Sequence, residues 1–179
     1  MNTMVLNFGM PRSGTTYMQH VIRQGCGFLA VKLPERAPIH PVNSPTGLRD
    51  LCLSMPYTNI VMVRTTRSLD AIKASAAHMG ESDQWWALRS LDEAHETEQA
   101  NVDAQQQKGW PANASILSFD YDSFGYDESV SALVNWLASR TGKDNAALNK
   151  ERWNAYIAST WMKVPVRPGR LSQRLEGHE

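Results

Sequence analysis

An α/β fold with a mainly parallel β-sheet flanked by helices is the class this sequence predicts. Three observations predict it. Short apolar, β-branched runs recur along the chain, segments of helical spacing separate them, and Gly, Pro or capping residues mark the junctions. At 179 residues the chain suits a single domain that can bury a core without a staple.

The elements follow in order. Met4 to Phe8 (MVLNF) is apolar and bounded by Gly9 and Pro11, which predicts a buried strand. A helix is expected from about Thr15 to Gln24, then a second strand over Phe28 to Leu33. Residues 34–50 hold Pro34, Pro38, Pro41, Pro45 and Gly47, which predicts a loop of functional length. Asn59 to Val63 (NIVMV) is the clearest strand, apolar enough for a sheet covered on both faces. Ser68 is placed to N-cap the next helix, with Asp70 favouring its positive end, and that helix runs to about Met79. A longer polar helix is expected from Ser82 or Asp83 to Gln107, with Trp85, Trp86, Leu88 and Leu91 as its packing face. Ser115 to Phe119 predicts another strand. Asp127 opens a helix whose Val130, Leu133, Val134 and Leu137 share one face, and Gly142 stops it. A last helix over 146–162 completes the domain, residues 1–162, and residues 163–179 form a basic tail with Lys163, Arg167, Arg170 and Arg174.

Charge and cysteines narrow the function. Lys plus Arg number 18 and so do Asp plus Glu, so nucleic acid is not an expected partner, since phosphate backbones demand a basic surface. Cys26 and Cys52 have neither CxxC nor zinc spacing, and read as buried or half-buried thiols of a reducing cytoplasm. No run of about 18 apolar residues occurs and the start lacks signal-peptide features, so no membrane role is expected. No HxH or HxxxH pair occurs, so no metal is expected.

The chemistry concentrates in Gly9 to Thr16 (GMPRSGTT). Two glycines stand five apart between a strand and a helix, the frame of a P-loop. Glycines let backbone N–H groups turn inward, and the helix start adds positive potential toward an anion. Thr15 stands where nucleotide triphosphatases carry Lys, and the cation is Arg12 within the loop. That change disfavours magnesium-dependent NTP hydrolysis and favours a single 5′-phosphate bearing a transferable group.

Pro11, Arg12, Ser13, Gly14, Thr15, Thr16 and Tyr17 resemble the 5′-phosphosulfate loop of sulfotransferases, P-loop enzymes that use 3′-phosphoadenosine 5′-phosphosulfate (PAPS). The family also carries an Arg at a strand end and a Ser eight residues on, which hold the 3′-phosphate. Arg67 and Ser75 have that spacing, Arg64 has the strand-end position, and the two arginines stay open here. Phe119 to Phe124 resembles the family's Tyr-Glu-Asp-Leu, whose Tyr lies against adenosine; Tyr121 fits that role or that of a sheet-edge aromatic. The family's C-terminal Arg-Lys-Gly-x-x-Gly segment, which closes over the nucleotide, is absent, with Arg167-Pro-Gly-Arg170 either its remnant or unrelated. The chain is also shorter than the family's cytosolic members, so reduced acceptor-binding segments are expected.

The resemblance implies sulfuryl transfer from PAPS, without a metal, to a hydroxyl or amine on a small-molecule acceptor of open class. Arg12 is the candidate for charge on the bridging oxygen, and His40, then Glu35, for the base; Lys32 can contact sulfate oxygens. His20, one turn after Thr16, is a further base candidate. Trp85 and Trp86 can line an acceptor pocket as well as pack a helix. The rival readings are a small P-loop ATP-dependent phosphotransferase, for which Asp120 or Asp122 would hold magnesium, and a non-catalytic nucleotide-binding module.

Overall fold

A computed structural model describes residues 2–25, 27–33, 41–80, 89–122 and 126–142. Two compact units are present. The first comprises Met1–Gln19 and Leu29–Phe124, the second His20–Phe28 and Gly125–Glu179.

The first unit is built on a four-stranded, wholly parallel sheet in the order β2-β1-β3-β4. The strands are β1 (Thr3–Gly9), β2 (Ala30–Lys32), β3 (Asn59–Thr66) and β4 (Ala114–Asp120). The α/β class and the parallel sheet expected from the sequence are therefore observed. Strand alternation divides the side chains. Leu6, Phe8, Ile60 and Met62 face a core shared with α2 (Gly47–Ser54), α3 (Leu69–His78) and α4 (Leu91–Gln107). Those helices contribute Leu48 and Cys52, Ile72 and Ala76, and Leu91, Ala94 and Val102. Asn7 faces the other way, toward the start of α1 (Thr15–His20).

Local signals explain most boundaries. Ser68 Oγ accepts from the Ala71 N–H at 3.4 Å and caps α3, as its sequence position predicts. Ser90 and Glu93 form a reciprocal capping box that starts α4 at Leu91, later than the Ser82 or Asp83 expected. Trp85, Trp86 and Leu88 lie outside the described residues.

The loop expected over residues 34–50 is corrected by α2, which opens inside it at Gly47. Its prolines hid a stripe of Leu48, Leu51 and Cys52 that meets the core. Gly47 is needed because a Cβ there would run into the Pro41 carbonyl.

Cys52 is fully buried with its Sγ 3.8 Å from Met62 Sδ, and burial pushes its thiol pKa up to about 11. Cys26 lies outside the described residues.

In the second unit the helix predicted to Gln24 finishes as a π-type turn, Val21–Gly25. That unit also holds α5 (Tyr126–Thr141), with Leu133, Val134, Leu137 and Ala138 buried. Gly142 ends α5 at φ +67°, donating its N–H to the Ala138 carbonyl at 3.0 Å. No helix among the described residues is long and apolar enough to cross a membrane.

Candidate functional site

All four strands run the same way, so their carboxyl ends lie along one edge of the sheet. From β1 the chain passes to β2 on one side, while β3 pairs on the other. The carboxyl ends of β1 and β3, where Gly9 pairs with Thr65, are thus the switch point at which open α/β sheets bind ligands.

The β1–α1 loop starts there. Gly9 has φ +154°, and a Cβ on it would collide with the Thr65 carbonyl. Met10 to Ser13 form a turn closed by the Ser13 N–H donating to the Met10 carbonyl at 3.1 Å. Pro11 takes the position its ring favours, and Arg12 follows at φ +64°. A left-handed backbone costs a non-glycine residue roughly 1–2 kcal/mol. Contacts that hold it include the Arg67 Nη1 donation to the Arg12 carbonyl at 3.1 Å and the Arg12 Nε donation to Ser75 Oγ at 3.2 Å. The buried Ser13 hydroxyl donates to the Met10 carbonyl at 2.6 Å.

Gly14, at φ +95°, opens α1; its carbonyl accepts the Met18 N–H at 2.9 Å. Tyr121 lies where a Gly14 side chain would be. The buried Asn7 ties this turn to β1: its Nδ2 donates to the Thr15 carbonyl at 2.6 Å, and its Oδ1 accepts from Thr65 Oγ1 at 3.4 Å. Sequence reasoning missed Asn7, whose signal was a lone amide in an apolar strand.

Three cations border the loop. Arg12 lies within it, Arg67 follows β3, and Lys32 ends β2 with its Nζ donating to Thr16 Oγ1 at 2.8 Å. Thr15 is buried, whereas Thr16 is exposed beside Lys32. Tyr121 follows β4 and meets Tyr17 edge-on, with ring centroids 5.8 Å apart. The Arg67 guanidinium lies 5.1 Å from the Tyr121 ring centre and pairs with Asp122 at 3.1 Å. The sequence offers Asp122 as part of the Tyr-Glu-Asp-Leu-like segment and, on the rival reading, as a magnesium ligand, with no sign of its pairing to Arg67.

Pro11, Arg12, Ser13, Gly14, Thr15, Thr16, Tyr17, Arg67, Ser75 and Tyr121 therefore come together, joined by Lys32. Arg64 does not join them. Strand β3 runs on to Thr66, so alternation puts Arg64 on the face of Ile60 and Met62. There its Nε donates to Glu98 at 2.9 Å and its Nη2 to Gln99 at 3.1 Å, with Arg64 only 7% exposed. Burial raises the Glu98 pKa, and the Arg64 charge opposes that rise. The second Glu98 oxygen is buried without a partner among the described residues. Glu98 also lines a cavity of about 30 Å³ together with Met10, Arg64, Arg67, His95 and Gln99. That volume has room for roughly one or two waters and none for a nucleotide.

Glu35 and His40 lie outside the described residues, and His20 belongs to the second unit. No cluster of three His, Cys, Asp or Glu able to hold a metal occurs among the described residues. Compared with protein families, curated proteins and solved structures, the chain matches none.

Proposed function

We propose that this chain is a PAPS-dependent sulfotransferase. The observation that carries the reading is the meeting of Arg12 with Arg67 and Ser75 at the carboxyl ends of β1 and β3. Residues 63 and 55 positions apart in sequence converge at the place where an α/β sheet takes an anionic ligand. Arg67 and Ser75, eight residues apart, have the spacing the resemblance assigns to the residues that hold a 3′-phosphate. Lys32 on Thr16 adds a cation at the start of α1, whose first-turn N–H groups its own ladder leaves unused.

In this reaction the acceptor oxygen or nitrogen forms a bond to sulfur. The bond from sulfur to the oxygen bridging to the 5′-phosphate breaks, and adenosine 3′,5′-bisphosphate leaves with that electron pair. Arg12 stabilises charge growing on the bridging oxygen, and Lys32 stabilises the sulfuryl oxygens. Arg67 and Ser75 hold the 3′-phosphate, which positions the donor. Tyr121 lies beside the nucleoside. The acceptor's proton passes to a base, for which His40 and Glu35 are the candidates.

Thermal unfolding with adenosine 3′,5′-bisphosphate, Mg-ATP and AMP tests the proposal. A ligand at 100 times its Kd stabilises by about 2.7 kcal/mol, or roughly 5–10 °C for a chain of this size. The bisphosphate is expected to give the largest shift, followed by sulfate transfer from PAPS to a member of an acceptor panel. A larger shift with Mg-ATP points to a phosphotransferase instead. Bisphosphate binding without transfer points to a binding module.

A further inference from the structure

Asp122 holds more of this site than its place in the sequence suggests. It lies two residues beyond the end of β4, and its N–H donates to Asp120 Oδ1 at 3.1 Å. Its Oδ1 accepts from Arg67 Nε at 3.1 Å. Its Oδ2 accepts from the backbone N–H of Ser68 at 3.4 Å and from the Ser68 hydroxyl at 3.3 Å. One carboxylate thus grips two successive residues of the β3–α3 turn. The Arg67 plane is then fixed by three contacts: Asp122 on Nε, the Arg12 carbonyl on Nη1 and the Tyr121 ring beside it. Among the described residues this leaves Nη2 as the edge without a hydrogen bond.

We infer that Asp122 is a positioning residue, which orients Arg67 toward an anion and, through Arg67, holds Arg12 in its left-handed conformation. The nature of that anion, a nucleotide 3′-phosphate, rests on the sulfotransferase reading. The orientation of Arg67 does not.

Charge and geometry act in opposite directions here, which gives the inference a sign. A carboxylate beside an anion site repels the anion. If Asp122 only neutralised Arg67, its removal would tighten anion binding. If it orients Arg67, its removal loosens binding, because an unrestrained guanidinium must be ordered by the ligand itself.

The test compares the intact chain with Asp122→Ala and Asp122→Asn. Titration calorimetry reads the Kd for adenosine 3′,5′-bisphosphate and for AMP. Nitrogen-15 NMR follows the Arg67 Nε–H signal, identified by its loss in Arg67→Lys. In Asp122→Ala the bisphosphate is expected to bind about tenfold more weakly, as for one lost charge-assisted hydrogen bond, and AMP to change less. Rapid solvent exchange of the Arg67 Nε–H is expected alongside. Asp122→Asn keeps an acceptor oxygen and recovers most of the affinity and the protected signal.

Tighter or unchanged bisphosphate binding in Asp122→Ala overturns the inference, and so does an equal loss for both nucleotides. A wild-type chain that binds neither nucleotide refutes the sulfotransferase reading and leaves the inference to the NMR signal. Persistence of that signal without Asp122 then overturns it. If Asp122→Ala does not fold, Asp122→Ser decides: its hydroxyl ends one bond short of the Oδ1 that accepts from Arg67 Nε, so the Arg67 Nε–H must exchange faster than in the wild type, and unchanged protection overturns the inference.

Discussion

Replacing Glu98 by Leu separates the buried ion pair from the candidate site. Glu98 and Arg64 are 3% and 7% exposed, and their 2.9 Å contact joins α4 to the end of β3. Removing the carboxylate leaves a guanidinium inside the protein with the Gln99 amide oxygen, at 3.1 Å, as its remaining side-chain acceptor among the described residues. Truncating one partner of a buried pair costs about 3–5 kcal/mol, and the Gln99 bond favours the lower half of that range. That is a large share of the roughly 5–15 kcal/mol that stabilises a typical domain. The expected fall in Tm is roughly 6–15 °C, read by circular dichroism. Arg64→Met combined with Glu98→Leu removes both charges and is expected to return to within about 1–2 kcal/mol of wild type. That double variant should bind adenosine 3′,5′-bisphosphate with unchanged Kd, because Arg64 faces α4, whereas Arg67→Ala should weaken binding toward that of AMP. A stable double variant with tenfold weaker binding would put Arg64 in the site and refute this assignment. A Glu98→Leu protein as stable as wild type would refute the energetic account of the pair.

Other predictions concern single groups. Burial raises the Glu98 pKa in the folded protein, so that state holds its proton more tightly than the unfolded chain does. Stability from this group is present at low pH and is lost as pH rises above the ordinary value of 4.5 through the folded pKa. Urea titrations of wild type and Glu98→Gln across that window should differ in this slope. Arg12→Gly suits the observed φ of +64° and should change stability by no more than about 1 kcal/mol, while turnover falls about 10²–10³-fold. Equal loss of stability and turnover would make Arg12 structural. In a Cys26→Ser background, Cys52 should resist thiol reagents until the protein unfolds, because its thiol is buried and its pKa is raised to about 11. Fast labelling of the native protein would contradict that placement.

How far the sequence revealed this architecture depended on whether a signal was local. The β1 and β3 runs are apolar and bounded by turn residues, and Ser68 and Gly142 act at helix ends through contacts within a few residues. Each was legible for that reason. The start of α4 was encoded too, as Ser90 and Glu93 at capping-box spacing, but Trp85 and Trp86 suggested an earlier packing face. Helix α2 was hidden because Pro41 and Pro45 precede it closely, while its apolar stripe is short.

The choice between Arg64 and Arg67 turned on the carboxyl end of β3. Ending the strand at Val63 puts Arg64 at its mouth, whereas ending it at Thr66 buries Arg64 and brings Arg67 there. Pairing with β4, where Thr66 meets Asp120, carries the strand that far, and no local propensity encodes such a partner. The links from Asp122 to Arg67 and from Asn7 to Thr15 were likewise invisible, because each joins segments that only the folded sheet brings together.

The distribution of charge around the β1–α1 loop bears on the proposed ligand. A lysine after the second glycine, as in nucleotide triphosphatases, follows one phosphate chain outward from the helix start. Here that position is the buried Thr15, and cations arrive from three segments: Lys32 from β2, Arg12 from the loop and Arg67 from the turn after β3. The Arg67 side chain holds the Arg12 carbonyl, so a change at Arg67 bears on the Arg12 backbone. Anchors spread in this way match charge at separated points of a ligand better than a linear triphosphate. The proposed donor carries charge at two separated points, its 3′-phosphate and its 5′-phosphosulfate. On this argument AMP, with only the 5′ charge, should bind more weakly than the bisphosphate, and Arg67→Ala should bring the two affinities together. A preference for the bisphosphate that survives Arg67→Ala would place the second phosphate elsewhere.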